Sequence, residues 1–341
     1  LLAVVAALVC AAEADAAKKS AASKPAKEEV SEEATHLQVF LDRASFSPGK
    51  IDGHYGDFTL KALALYRESH GLTNKAEPVD AKNTKETSKP NLEGIDLSGV
   101  DPIFIDYTVS EADAQNTGEF PKSIPEQSKL KWLPYRDLAE AVAEKFHCDA
   151  DYFAKLNPNA GKLKVGDHVR VPNVEPFELG SVKAAAEKNK GKKERDEDTP
   201  PPPAGDNAVS VKINTKFNVL EVHEGAHLVA AYPVTVGSSH TESPIGDWQV
   251  REITPLPFFR YDKEMLNHGQ RSGDYYNLPP GPNNMVGVMW IALNKKGIGL
   301  HGTGDPESIG RSSSHGCVRL ANWDVVRLAK RLKPGVAVSI H

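Results

Sequence analysis

Apolar and polar positions follow three different rhythms along this chain, and the changes of rhythm divide it. Near the start Leu37, Phe40, Leu41 and Ala44 fall at i, i+3, i+4 and i+7, the spacing of one buried helix face. Turns follow at Ser47-Pro48-Gly49-Lys50 and Ile51-Asp52-Gly53. Asp57 is then expected to cap a second helix that turns Leu60, Leu63 and Ala64 inward and ends near Gly71. The rhythm changes at 103–109, which reads as a strand, and a polar stretch follows over about 110–134. Next come a helix with Leu138, Ala141 and Val142 inward and a shorter one with Tyr152, Phe153 and Leu156 that stops at Asn157-Pro158-Asn159. An alternating strand over 163–172 closes this part.

From 208 onward short β-prone segments dominate, at 208–213, 219–223, 227–236, 246–252 and 288–293, separated by glycine and proline turns. Such spacing predicts a β-sandwich or barrel. One helix stands out, with Asn322 as its expected cap and Val325, Leu328, Ala329 and Leu332 on its buried face, before a last strand at 336–340. The expected fold class is therefore multidomain: a small all-α N-terminal module, a β-α-α-β module, and a mainly-β sandwich or barrel with a C-terminal helix.

Composition adds boundaries. Residues 80–99 are polar and read as a linker, and 183–207 combine an Ala/Lys/Glu stretch, a mixed-charge run and four prolines, the composition of an extended spacer. A spacer of that kind would let the C-terminal domain sweep around the two modules before it. The net charge of −5 is small and the basic residues are scattered, so nothing favours a nucleic-acid partner. The opening apolar run, with Ala14-Asp15-Ala16 after it, is expected to be a partial signal peptide over 1–16, followed by a flexible exported spacer over 17–33. Export to the periplasm, cell wall or envelope is the implied location. The three cysteines are Cys10, Cys148 and Cys317, too few for a disulfide framework, and Cys148 is expected to pack at a helix end.

Cys317 has a different setting. It lies in the polar, glycine-containing run Ser314-His315-Gly316-Cys317-Val318-Arg319, where a packing cysteine would lack apolar neighbours. A thiol near its free pKa of about 8.5 needs a base or a positive environment to act as a nucleophile at neutral pH. His301, at the end of the apolar run 297–300, and His315, two positions before the cysteine, are the candidates to help. The amides of Gly316 and Cys317 are candidate oxyanion donors. A zinc site built from His301, His315 and Cys317 is the competing reading, but no Cys-x-x-Cys or His-Glu-x-x-His spacing accompanies them and a fourth ligand has no evident source. No metal and no organic cofactor are expected.

His301-Gly302-Thr303 followed by Ser314-His315-Gly316-Cys317-Val318-Arg319 resembles the signature of the L,D-transpeptidase catalytic domain, the YkuD-like family. Tyr232-Pro233-Val234 with Gly237, the run Ser243-Pro244-Ile245-Gly246-Asp247-Trp248, and Pro280-Gly281-Pro282-Asn283-Asn284 with Gly287 and Trp290 extend the likeness over 208–341. The resemblance implies Cys317 as nucleophile, His301 as general base and the Gly302 carbonyl as the group orienting it. It places Ser314, His315, Gly316 and Arg319 around the same site. The implied reaction is peptidoglycan cross-linking through an acyl-enzyme on a stem tetrapeptide that releases D-alanine. A water acceptor (an L,D-carboxypeptidase), a lipoprotein acceptor, and a non-catalytic wall-binding scaffold are the alternatives. Residues 34–81, through Ile51-Asp52-Gly53, Gly56, Thr59, Ala62-Leu63 and Gly71-Leu72, resemble a type 1 peptidoglycan-binding domain. Residues 103–175, through Tyr107-Thr108-Val109, Leu156-Asn157-Pro158 and 163–172, resemble a LysM domain with an insertion. Stem peptides and glycan strands are thus the implied partners.

Overall fold

The computed structural model describes residues 30–72, 89–191, 200–201, 209–237, 242–311, 314 and 316–341. The expected signal peptide, Cys10, most of the expected 17–33 spacer, residues 73–88 and His315 lie outside the described residues. Two helices, α1 (Glu32–Arg43) and α2 (Asp57–Ser69), form the first module. The hydroxyl of Ser31 accepts the Glu33 and Ala34 amides and so caps α1, with acidic residues in its first turn and Arg43 in its last. Asp57 proves to be the first residue of α2 and not its cap, a place held by Gly56. Its carboxylate instead takes Lys61 Nζ at 2.6 Å one turn on. The intervening turn is organised by Gln38, which donates to Asp52 (2.8 Å) and accepts from the Gly53 amide (2.9 Å).

The second unit runs β1 (Phe104–Thr108), α3 (Glu111–Ala114), α4 (Ile124–Gln127), α5 (Leu138–Lys145), α6 (Ala150–Leu156) and β2 (His168–Pro172). β1 and β2 pair antiparallel, Phe104 opposite Pro172 and Thr108 opposite His168, so the expected β-α-α-β order is present with two extra helical turns inside the polar stretch. Asp137 and Asp149 cap α5 and α6 through their carboxylates. Val142, Phe146, Tyr152, Phe153, Val169 and Val171 fill the space between helices and strands, and Cys148 is buried among them as a free thiol.

A further helix, α7 (Leu179–Asn189), corrects the expected spacer over 183–207 at its start. Val182 is 2% exposed and belongs to the core of the C-terminal domain, so this part of the chain is packed structure.

That domain comprises β3 (Val209–Asn214), β4 (Val219–Glu224), β5 (His227–Pro233), β6 (Gly246–Pro255), the hairpin β7 (Phe259–Tyr261) and β8 (Tyr276–Leu278) with α8 (Lys263–His268) between its strands, β9 (Met289–Leu293), β10 (Gly299–His301), β11 (Val318–Arg319), α9 (Asn322–Arg331) and β12 (Ala337–Ile340). Among the described residues eight strands join in one sheet, in the order β11-β10-β9-β6-β12-β3-β4-β5. The expected sandwich or barrel is thus a single mainly-β sheet. β6 explains the difference: its first half pairs with β12, its second half with β9, and a bulge at Val250–Glu252 bends the strand between them. α9 covers the sheet with Trp323, Val325 and Leu328 buried. Its cap position belongs to Ala321, because the side chain of Asn322 turns inward instead.

The accessory modules do not trail from the sheet; they are packed on it. The segment after α1 adds to the sheet edge, with Ser47 N donating to Ala231 O (2.8 Å) and Ala231 N to Ser45 O (3.0 Å), so β5 presents no bare ladder there. Phe46 buries itself against Val219, Leu228 and Ala231. Beneath it, Asp42 from α1 takes a two-pronged contact from Arg327 of α9 (3.1 and 2.8 Å) and a third from His147 after α5 (2.9 Å). His147 stacks on Trp323, ring centroids 5.0 Å apart. Three units therefore meet in one buried cluster, where the two modules pack against the sheet.

Candidate active site

Both ends of the candidate site come from neighbouring strands. β10 and β11 run parallel, with Leu300 opposite Val318 and His301 opposite Arg319. Paired positions share a face, so His301 and Arg319 project together, and Cys317 sits in the bend just before β11. The sequence separates the two candidate residues; the sheet places the strand ending in His301 beside the strand that follows Cys317.

His301 is held firmly. It is 5% exposed, and its Nδ1–H donates to the carbonyl of Gly302 at 2.6 Å. A carbonyl only accepts, so this bond keeps the proton on Nδ1 and leaves Nε2 with its lone pair. Trp290, opposite His301 on β9, stacks on the ring at 5.5 Å between centroids. Gly299 makes that stacking feasible: a Cβ there would lie 2.8 Å from Cζ2 of Trp290 and 2.8 Å from the Ile291 carbonyl. Burial drives the imidazole pKa down to about 4, against the opposing pull of the Gly302 bond, and the Arg319 charge lowers it further. At neutral pH the ring is an uncharged base.

Cys317 is partly exposed, with its Sγ 3.5 Å from the Gly297 carbonyl. Burial pushes the thiol above its ordinary pKa, while a Gly299 backbone bond and the charge of Arg319 act the other way. Thiol and imidazole are thus both neutral at rest, so for Cys317 to act as a nucleophile its ionisation has to accompany proton transfer.

The turn before the cysteine is tied down locally. Ser314 N donates to Val236 O at 2.8 Å, and the Ser314 hydroxyl donates to the carbonyl of Cys317. The Gly316 amide donates to Ser314 Oγ at 3.2 Å, with φ at +107° in a region that suits glycine. This corrects one expectation: the Gly316 N–H, named as an oxyanion donor, is engaged within its own turn. Arg319 reaches Ser308 Oγ at 3.4 Å. His315 lies outside the described residues, so its place is not part of this geometry.

Asn322 carries more than its expected capping role. Its Oδ1 accepts the Val288 amide (3.1 Å), and its Nδ2 donates to Pro282 O (3.1 Å) and to Glu144 Oε1 of α5 (2.7 Å). Gly287, at φ +60°, fits beneath it, since a Cβ there would stand 2.5 Å from both the Gly302 carbonyl carbon and Thr303 N. Asn322 and Gly287 thus shape the backbone that orients His301. Gly287 belongs to the motif set visible in sequence, whereas no local signal marks Glu144 as the partner of Asn322. Two hollows, of about 520 and 650 Å³, lie on the accessory side and neither is lined by Cys317 or His301, so cavity size does not locate the chemistry.

Residues 208–340 match the family model described as YkuD, L,D-transpeptidase catalytic domain. The chain is 27% identical over 206 residues to the putative L,D-transpeptidase YkuD of Bacillus licheniformis, covering 60% of this chain and 93% of that protein. It is 31% identical over 133 residues to the putative L,D-transpeptidase YkuD of Bacillus subtilis, covering 39% and 65%. Among solved structures it is similar to an L,D-transpeptidase from Mycobacterium smegmatis at 14% identity and a TM-score of 0.33, spanning 40% of this chain and 59% of that one. The family model and the curated relatives alike support an L,D-transpeptidase catalytic domain, a cysteine-dependent transferase family, over residues 208–340.

Proposed function

We propose that the protein is an exported peptidoglycan L,D-transpeptidase in which Cys317 is the nucleophile and His301 the general base. L,D-transpeptidases act on peptidoglycan stem peptides, and the observation that supports the reading is the register of β10 with β11, which pairs the buried, tautomer-fixed His301 with Arg319, two residues after the thiol. Nε2 of His301 takes the proton as Sγ attacks the carbonyl joining the third residue of a stem tetrapeptide to its terminal D-alanine. The tetrahedral oxyanion forms next to the Cys317 amide and the Arg319 charge. Collapse expels D-alanine, whose amine receives the proton from His301, and leaves a thioester. An amine of a second stem then resolves that thioester, its proton passing to the same imidazole. Ser314 and Gly316 hold the turn in shape, and the Gly302 carbonyl stabilises the imidazolium formed in passing.

The residue 34–81 module and the β-α-α-β unit at 103–175 act as wall-binding elements in this reading, a type 1 peptidoglycan-binding domain and a LysM domain. Incubation of the purified protein with a disaccharide tetrapeptide, with mass detection of products, tests the reaction. Cross-linked dimers support transpeptidation; tripeptide alone assigns the acceptor to water, and attachment to a lipoprotein lysine assigns it to protein. Full cross-linking by Cys317→Ala would remove the mechanism altogether.

A further inference from the structure

We propose that Lys50, in the turn between α1 and α2, is a positioning residue for the turn Pro306–Ser308 and, through it, for Arg319. The proposal rests on the reading of Cys317 as nucleophile. Lys50 Nζ contacts two carboxylates from two other units: Asp149, at the cap of α6, and Glu307, in the single 3-10 turn Pro306–Ser308 that precedes the cysteine loop. Asp149 is itself fixed, because its Oδ1 accepts the Tyr152 amide at 2.8 Å. The Lys50 and Asp149 side chains are 14% and 13% exposed, which shields their pairing from solvent more than a surface pair, while Glu307 is 44% exposed.

The other side of the same segment is pinned by the sheet. Thr235, fully buried, accepts the Gly310 amide (2.8 Å) and donates to the Ser308 carbonyl (3.2 Å), and Arg319 reaches the Ser308 hydroxyl. Gly310 has φ +71°, and a Cβ there would run into the ring of Phe58 from α2. The segment is thus held between catalytic strands and the accessory modules. A hollow of about 650 Å³ remains around Lys50, so little apolar surface is sealed at this contact and its contribution is geometric. Loss of the Lys50 contacts would leave Glu307 only the longer pairing with Arg311 at 3.9 Å and, through Ser308, loosen Arg319, the register partner of His301.

The test uses the full chain and compares Lys50→Met, Glu307→Gln, the double variant and Lys50→Arg. The second-order rate of carbapenem acylation at Cys317 is followed by site-resolved mass spectrometry well below the melting temperature. Each single variant is expected to slow acylation about tenfold, as misplacement of a reacting group does. The double variant should be no slower than the worse single, because both singles already break the shared Lys50–Glu307 contact, and Lys50→Arg should restore most of the rate. A contact serving stability alone would lower the melting temperature and leave the acylation rate of folded protein unchanged; that result overturns the proposal, as does strict additivity of the two losses. If Lys50→Met does not fold, Glu307→Gln decides by the same criterion. A parent protein that forms no Cys317 adduct rejects the nucleophile and the positioning role with it, whereas a labelled parent with unaffected variants rejects the positioning role alone.

Discussion

Two regions of this molecule bury titratable side chains, and they do opposite things with them. At the junction of the three units, Asp42 is fully enclosed yet stays ionised: burial alone would raise its pKa, but Arg327 and His147 together pull it well below the usual carboxylate range. On the β10–β11 face, His301 is just as enclosed but has one neutral partner, the Gly302 carbonyl, and so stays uncharged. A buried charge met by an opposite charge is a fastening; a buried base with one lone pair left over is available for the proposed proton transfer. What separates them is how many of a group's valences the fold has already used.

The largest effect expected from breaking this contrast is at the base. His301→Asn should slow acylation by roughly 10²–10⁴-fold, the usual contribution of general acid–base catalysis, with the fold retained in circular dichroism. A fall of less than about tenfold would mean that the thiol is activated by something else.

Asp42→Asn attacks the fastening instead. Removing one partner strands the Arg327 guanidinium, so the variant should lose about 3–5 kcal/mol in urea unfolding. An unchanged unfolding midpoint would show that the units are not held together there.

Gly287→Ala joins the two regions, since the added methyl would press on Asn322 and on the Gly302–Thr303 peptide. It should cost about 1–3 kcal/mol of stability and also slow acylation, by displacing the carbonyl that orients His301. Stability loss with a normal acylation rate would separate Gly302 from the chemistry.

A further effect concerns pH. Burial raises the Glu144 carboxyl to about 8, against the pull of its bonds from Tyr135 and Asn322, and burial raises Asp324 to about 8 despite Arg327. The folded state thus holds protons that the unfolded chain releases above its ordinary carboxyl pKa near 4. That stability is complete below about pH 4 and declines as pH rises through about 8, by at most about 1.4 kcal/mol per pH unit per group. Glu144→Gln should flatten part of this slope when unfolding free energies at pH 5 and pH 8 are compared. An equal slope in the variant would place the proton elsewhere.

Sequence reading reached the motifs of the candidate site because their contacts are local. Gly302 follows His301 directly, and Ser314 bonds within its own turn to Cys317 and Gly316. The helices and strands were legible from apolar periodicity, with small errors where a side chain found a tertiary partner: Asp57 turned to Lys61, and Asn322 turned to Val288 and Glu144 instead of capping. The stretch at 183–189 was illegible as structure, because its Ala/Lys/Glu composition suits a solvated chain and only packing of Val182 against the sheet marks it as a docked helix.

The order of residues by itself determined the helical, mixed and β-rich segments, the thiol-bearing turn and the histidine with its neighbouring carbonyl, since each depends on short-range periodicity or adjacent peptide groups. Tertiary structure alone decided that Asp42, His147 and Arg327 share one buried cluster, that Glu144 meets Asn322, and that Lys50 lies between Asp149 and Glu307. Those pairings join residues from separate units, and a charge reads the same in sequence whether it ends in water or against a partner.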